Sequence, residues 1–421
     1  MSPLRRESFG VLLALLWLLS TPVCSRAAVL PGIDVLSNRA FDALQHKRVG
    51  LITNQTGRSA SGASTIDILF QAPGVRLTAL FSPEHGIRGE ADEKLGASRD
   101  AGTGLPIHSL YGATCRPTPA MLAGVDLLVF DIQDIGTRFY TYIGTLSLAM
   151  RAAKESGIPF VVLDRPNPIG GVAVAGGIPT DPPPSPVSRR KGGVEESGCG
   201  SITSIHPIPT RHGMTVGELA RLFNTEYGIG CDLTVIPMQG WRRSMYFDET
   251  GLSWINPSPN MKSLTAAILY PGPGTLETAN LSVGRGTERP FELYGAPWVD
   301  ARSLLANLAG RTIPGVSFAA CEFVPTAPNH PYRGQTCHGV RVRIVDRTLL
   351  DPVLVGLHLA QAFYQVQPKR FTTYEGFGVE VGDKALWRLL TQGGRRPEEL
   401  VARWQGGVDR FMALRGRYLL Y

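Results

Sequence analysis

The sequence has no CxxC pair, no HExxH, no GxGxxG after its first apolar run, and no apolar stretch approaching the about 20 residues that span a bilayer. Each absence removes a class of function. Without the glycine fingerprint, a strand-rich first half carries no dinucleotide expectation, and the histidines at 85, 108, 206 and 212 have no ligand spacing for a catalytic metal. Lys and Arg are nowhere run together and interleaved with aromatics, so no nucleic-acid groove is expected. The 48 Gly and 32 Pro follow no collagen-like period and read as many loops.

What is present begins with a leader. Arg5 and Arg6 precede an apolar run over 11–19, followed by Ser25-Arg26-Ala27, with small residues where a signal peptidase reads. Residues 1–27 are read as a signal peptide cleaved near Ala27, and the chain as exported, periplasmic or extracellular. Stable membrane insertion after cleavage is not expected. Losing Arg5, Arg6, Arg26 and Glu7 lowers the net charge of +7 by two, to +5, a mild basic excess suited to an acidic wall polymer. Cys115, Cys199, Cys231, Cys321 and Cys337 remain, an odd number. An oxidising compartment would allow Cys321 and Cys337, which flank a possible hairpin, to be bridged.

With 421 residues, 43% of them hydrophobic, the chain can build a large core and divides most naturally into two domains. Apolar runs at 48–53, 76–81, 125–130 and 159–163 alternate with polar turns and helix-like segments such as 140–156. Continuous runs of that length read as strands buried on both faces of a parallel sheet. The fold class expected is α/β, a Rossmann-like parallel-sheet subdomain over 28–205 with a smaller mixed α/β subdomain over 206–421. A Pro- and Gly-rich segment at 176–209 reads as a long surface loop or domain connection. Beyond it a helix is expected over 214–226, opened by Thr215 with Glu218 completing a capping box. Further strands are expected at 233–237, 316–323 and 340–345, and helices at 301–309 and 352–365.

In parallel sheets ligands bind where the loops leave the carboxyl ends of the strands. Here those loops carry Asn54, then Glu84 and His85, then Asp131, Gln133, Asp134 and Arg138, then Asp164 and Arg165. Singly, each has a bland reading: Asn54 and Asp164 cap turns, and Asp131 pairs with Arg165 or Arg138. Together they suggest one composite rim on which Glu84, Asp131 and Asp164 converge. A second-half stretch with Asn260, Glu277 and Arg285 is expected to roof it. Glu84 is the best candidate for a general acid, because Phe81 and Ile87 offer apolar neighbours that would raise its pKa. Glu90, Asp131 and Asp134 are unranked candidates for a second carboxylate.

The runs GLITNQTG at 50–57, LFSPEHGIRGEAD at 80–92, LLVFDIQDIGTRFYTYIGTL at 127–146, VLDRPNPIGG at 162–171, RHGMTVGELA at 211–220, SPNM at 258–261, YPG at 270–272 and NLSVGRGTERPFELYGAPW at 280–298 resemble, in order, the blocks of the NamZ-type exo-β-N-acetylmuramidase family. The resemblance implies a glycosidase that releases N-acetylmuramic acid from the non-reducing end of peptidoglycan fragments, with no cofactor. It implies Glu84 as catalytic, with His85, Asp131, Arg138, Tyr140 and Asp164 lining the site and Glu277 and Arg285 facing them. The 176–208 segment matches the family poorly, which bears on substrate preference.

Such a reaction uses two carboxyl groups in different environments, or lets the sugar's own acetamido group attack while the second carboxylate orients it. The lactyl carboxylate of the sugar calls for a guanidinium, for which Arg138, Arg165 and Arg285 are candidates. The competing readings are a non-catalytic wall-sugar binder in the same cleft, and an amidase or deacetylase on amino sugars.

Overall fold

Alternate residues of the apolar runs pack on opposite sides of one sheet. The computed structural model describes residues 28–87, 98–180, 202–374 and 376–421, with two short strand segments between 180 and 202. The leader, Glu90, Cys199 and half of the Pro-rich connection therefore lie outside the described residues. Among the described residues no helix is long and apolar enough to cross a membrane.

The strands are β1 Arg48–Thr53, β2 Arg76–Ser82, β3 Ser98–Arg99, β4 Pro106–Ser109, β5 Leu127–Asp131, β6 Phe160–Leu163, β7 Arg190–Lys191, β8 Val194–Glu195, β9 Leu233–Ile236, β10 Leu293–Ala296, β11 Val316–Phe323 and β12 Cys337–Ile344. The helices are α1 Gly32–Asn38, α2 Thr65–Gln71, α3 Thr141–Ser156, α4 Val216–Glu226, α5 Leu264–Leu269, α6 Ala301–Ala309, α7 Pro352–Val366, α8 Gly376–Val381, α9 Leu386–Thr391 and α10 Pro397–Arg415.

The large sheet has the order β3-β4-β2-β1-β5-β6-β9, parallel throughout except for the edge pair of β3 with β4. The chain winds outward from β1 through β2 and β4, then returns to the other side of β1 as β5. The direction of winding therefore reverses between β1 and β5, and the loops after these two strands diverge to leave a crevice. Four of the seven strands are legible in the sequence as apolar runs, and β9 as the short run at 233–237. The edge strand β3 and its neighbour β4, of two and four residues, are too short for a pattern.

Val49, Leu51, Leu127, Val129, Val161 and Leu163 face a core closed by α1 and α2. Ile52, Leu128, Phe130, Phe160 and Val162 face the other way, against α3 and α4. That second core continues without a break into the C-terminal half, through Leu276, Phe291, Tyr294, Val340 and Leu359. The C-terminal sheet has the order β10-β12-β11, antiparallel. The helix α4 begins with the capping box read from the sequence, Thr215 accepting from the Glu218 amide while the Glu218 carboxylate accepts from the Thr215 amide.

Two expectations are corrected. Cys321 and Cys337 lie on the paired strands β11 and β12, yet Cys321 is opposite Gly339 and Cys337 opposite Phe323, so the thiols are out of register; both are free. Cys115 is the described cysteine that is disulfide-bonded. The connection over 176–209 is not simply a surface loop, because its described end carries Ile202, Ser204, His206 and Ile208 into the interior.

Candidate active site

The turn after β2 sets Glu84. The Gly86 amide donates to the Pro83 carbonyl at 3.2 Å, and both His85 and Gly86 adopt left-handed backbone, at φ 71° and 74°. Glycine takes that conformation freely, whereas histidine there is strained by about 1–2 kcal/mol. Strain of this kind concentrates at functional sites. Glu84 remains half-buried, between the buried Phe81 and Ile87 and the exterior.

Asp131, at the end of β5, is not an open carboxylate. It is fully buried, its Oδ1 accepts from Arg165 Nε at 2.5 Å, and its Oδ2 accepts from Arg165 Nη2 at 2.9 Å and from Thr65 Oγ1 at 2.5 Å. The bidentate partner Arg165 also donates to the Arg58 carbonyl at 2.8 Å. This ion pair ties β5, β6 and α2 together, and it takes up both the carboxylate proposed as catalytic and one of the guanidinium groups proposed for the lactyl group.

Asp164 turns into the protein as well. Its carboxylate accepts from Thr215 Oγ1 at 2.7 Å, from the Gly217 amide at 2.7 Å and from Tyr421 Oη at 2.8 Å. Gly217 must be glycine here, since a Cβ would stand 2.8 Å from the Asp164 carboxyl carbon. Burial pushes the Asp164 carboxyl up to about 6, against those three bonds. Asp131 and Asp164 thus hold the sheet's carboxyl end in shape and do not meet Glu84 in a shared cavity.

Arg138, fully buried, reaches four main-chain carbonyls: Gly177 at 2.6 Å, Ile208 at 2.8 Å, Val379 at 3.2 Å, and Glu380. Burial lowers it to about 9, only partly countered by the Glu380 charge. It fastens the connection and α8 to the N-terminal half rather than waiting for a ligand. Gln133 is similarly taken up, donating to the Asp134 and Pro166 carbonyls at 2.7 Å each.

The remaining residues do gather. Tyr140 occupies the N-cap position of α3 without a side-chain cap bond, and Tyr142 lies in the first turn. Their rings meet edge-on at 5.0 Å, Tyr140 meets Tyr270 at 5.9 Å, and Tyr270 meets Phe291 at 4.8 Å. This aromatic row crosses from the N-terminal to the C-terminal half. Burial raises the Tyr140 hydroxyl, and the charges of Asp134 and Glu84 add to the shift while Arg285 opposes it. Glu84 also acts on Tyr142. Glu84 and Asp134 from one half and Arg285 from the other therefore lie within electrostatic range of the buried Tyr140 hydroxyl.

Buried groups without an internal partner cluster at the same place. Asn54 Nδ2, Ser82 Oγ, Asp134 Oδ1 and Tyr140 Oη make no bond of good hydrogen-bond geometry among the described residues, although the Tyr142 hydroxyl lies beside Asn54 and Tyr140, and Ser258 lies beside Tyr140. Buried polar atoms are nearly always paired, so this local excess marks capacity for a polar ligand. Asp134 Oδ2 accepts from the Gly136 amide at 2.7 Å and lies 3.6 Å from His212 Nε2. His212 Nδ1 accepts from the Met214 amide, which places the ring proton on Nε2, toward Asp134.

Across the row, Glu277 holds Arg285 through both Nε and Nη2, and the Arg285 guanidinium lies over the Phe291 ring at 5.1 Å. Asn260 Oδ1 accepts from the Gly286 amide at 2.8 Å, fixing that loop. A separate cavity of about 100 Å³ opens at the β1/β5 crevice, lined by Thr56, Arg58, Gln133, Arg165 and Trp254. Among the sequence candidates, Asn54, Glu84, Asp134, Tyr140, Glu277 and Arg285 share the strip. Tyr270, His212 and Glu380 are the additions; the first two stand in the YPG and RHGMT runs, but nothing in the sequence around Glu380 singles it out.

Models of the exo-β-N-acetylmuramidase NamZ match 49–265 with their N-terminal part and 268–421 with their C-terminal part. The chain belongs to the NamZ family. It is 42% identical over 393 residues to the peptidoglycan β-N-acetylmuramidase NamZ of Bacillus subtilis strain 168, covering 93% of this chain and 91% of that one. Two crystal structures of DUF1343-family proteins from Bacteroides fragilis NCTC 9343 are similar, with TM-scores of 0.82 and 0.72 at 38% and 31% identity. They match 94% and 93% of this chain, and 100% and 99% of their own. Both NamZ segments contribute to the strip, Glu84 and Asp134 from the first and Glu277 and Arg285 from the second.

Proposed function

We propose that this chain is an exo-acting glycosidase that cleaves N-acetylmuramic acid from the non-reducing end of peptidoglycan fragments. Family membership supplies the reaction class, and the observation that carries the site is the gathering of Glu84, Asp134 and Arg285 on one aromatic strip among unpartnered polar atoms. Glu84 is the acid: it stands on a strained turn, half-buried, where a proton can be handed to a leaving glycosidic oxygen. Asp134 is the second carboxylate, because Asp131 is saturated by Arg165 and Thr65 while Asp134 Oδ1 keeps a free acceptor. That acceptor suits an acetamido N–H or an attacking water. Tyr140 and Tyr270 offer faces and edges for the pyranose ring, and Arg285 offers the positive charge for the lactyl group.

The protein acts outside the cytoplasm in this reading. The leader-like residues 1–27 support it, as does the disulfide at Cys115, a bond that persists in oxidising compartments.

The test is incubation of the purified protein with a chromogenic β-N-acetylmuramide and the matching β-N-acetylglucosaminide. Release of the chromophore from the muramide alone is expected. Release from neither by folded protein, or from the glucosaminide equally, contradicts the assignment.

A further inference from the structure

The cavity at the β1/β5 crevice takes no part in the proposed cleavage. It lies where ligands settle in parallel sheets, between loops that leave adjacent strands on either side of the reversal in winding: the loop after β1 supplies Thr56 and Arg58, and the loop after β5 supplies Gln133. Thr56, Gln133 and Arg165 are buried in its lining, whereas Ser61 and Ser253 are exposed, so the cavity runs inward from a solvent-facing mouth. Its volume of about 100 Å³ is several times what one water needs.

Charge decides what it can hold. Arg58 and Arg165 are the charged side chains that line it, and among the described residues no acidic side chain joins them. Arg165 spends Nε and Nη2 on Asp131 and on the Arg58 carbonyl, which leaves Nη1 unbonded among the described residues. Arg58 donates from Nε to the Gln55 carbonyl at 3.1 Å and from Nη1 to the Gly62 carbonyl at 2.9 Å. These bonds fix the guanidinium yet leave its Nη2 over, and no described carboxylate pairs with it. Since Asp131 meets the Arg165 charge, the excess positive charge of the lining is that of Arg58. Asp34 is close by but outside the lining, its Oδ2 taken by the Ala60 amide at 2.9 Å.

Much of the remaining lining is apolar. The Trp254 ring is held by its indole N–H, which donates to the Met261 carbonyl at 3.3 Å, and by the Phe247 ring, which it meets edge-on at 5.2 Å. Leu252 and Pro31 extend that surface. Guanidinium donors beside an apolar wall suit a carboxylate on a short hydrocarbon body, whereas a phosphate would bring further charged oxygens against the wall without hydrogen bonds.

We propose that this cavity binds a short-chain organic carboxylate, free or at the end of a larger molecule, with Arg58 as its counter-ion and Arg165 Nη1 as a second donor. The site is separate from the Tyr140 strip and stands independently of the glycosidase reading.

Ligand-observed NMR titration of the full chain with propionate, and with propionamide as its neutral isostere, tests this. Propionate should bind with a Kd on the order of 1–10 mM, as one charge-assisted contact and a small apolar burial allow, and propionamide at least about tenfold more weakly. Inorganic phosphate should bind at least about fivefold more weakly than propionate. Ser253→Asp, at an exposed position on the mouth, sets a negative charge against the ligand and leaves the buried lining untouched. It should raise the propionate Kd at least about fivefold at low ionic strength, whereas Ser253→Asn, of the same size, should stay within about twofold of wild type. Arg58→Met should raise the Kd at least about tenfold, with Arg58→Lys between it and wild type. Equal binding of propionate and propionamide, phosphate bound as tightly as propionate, or equal Kd values for the Asp and Asn variants each overturn the proposal. So does the absence of propionate binding by folded wild-type protein up to about 100 mM.

Discussion

Replacing Asp131 by Asn separates a scaffold role from a catalytic one. The substitution leaves the size of the side chain almost unchanged but removes the charge opposite Arg165, whose guanidinium is buried. The remaining carbonyl oxygen accepts from Arg165 Nε, and the new amide takes the place of Oδ2, where it faces the Arg165 Nη2 donor and the Thr65 hydroxyl. One charge-assisted bond is therefore lost, worth about 1.5–3 kcal/mol, and a buried cation is left under-compensated. Breaking such a pair costs about 3–5 kcal/mol, and the retained acceptor puts this case near the lower end, about 3 kcal/mol. At about 2 °C per kcal/mol, suitable for a large domain, the melting temperature should fall on the order of 6 °C. Thermal denaturation and kcat on a chromogenic muramide, measured well below both melting points, are the assays. The expected result is a clear loss of stability with kcat within about tenfold of wild type. A protein as stable as wild type whose kcat has fallen by the 100-fold or more typical of a lost acid or base would refute the reasoning and restore Asp131 to the reaction.

Asp164 makes stability depend on pH in an unusual direction. Its folded pKa, about 6, lies above the ordinary 3.8, so the folded state holds the proton more tightly than the unfolded one. Its contribution is full below about pH 4 and is lost as pH rises through about 6, on the order of 3 kcal/mol in all. Chemical denaturation of wild type and Asp164→Asn across this window should show the difference between them shifting by that amount; a constant difference counts against the argument. Arg138→Lys keeps the charge but loses the planar reach to four carbonyls, so the cost should be about 2–4 kcal/mol, seen as a lower denaturant midpoint, and early proteolysis near 177–208 should accompany it. A midpoint equal to that of wild type would show that the clamp contributes nothing.

The sheet was readable because its central strands are buried on both faces and leave uninterrupted apolar runs, while the Thr215 and Glu218 pair announced α4 by its spacing. Strand β10 left no such trace: Leu293–Ala296 ends in Gly-Ala, and it pairs with β12 across some 45 residues of sequence. The site was legible as a set of loops but not as a set of directions. Asp131 and Asp164 leave strands at the same rim as Glu84, yet one turns to Arg165 and the other to the incoming α4 and the terminal Tyr421. No local pattern encodes that choice, because the partners come from distant segments.

Glu84→Gln is the most direct measurement of all. The amide keeps the shape and cannot supply a proton, so the account expects kcat on a β-N-acetylmuramide to fall by about 100- to 10,000-fold while the affinity for N-acetylmuramic acid stays within a few-fold of wild type. Retention of more than a tenth of the turnover by the folded variant would contradict it.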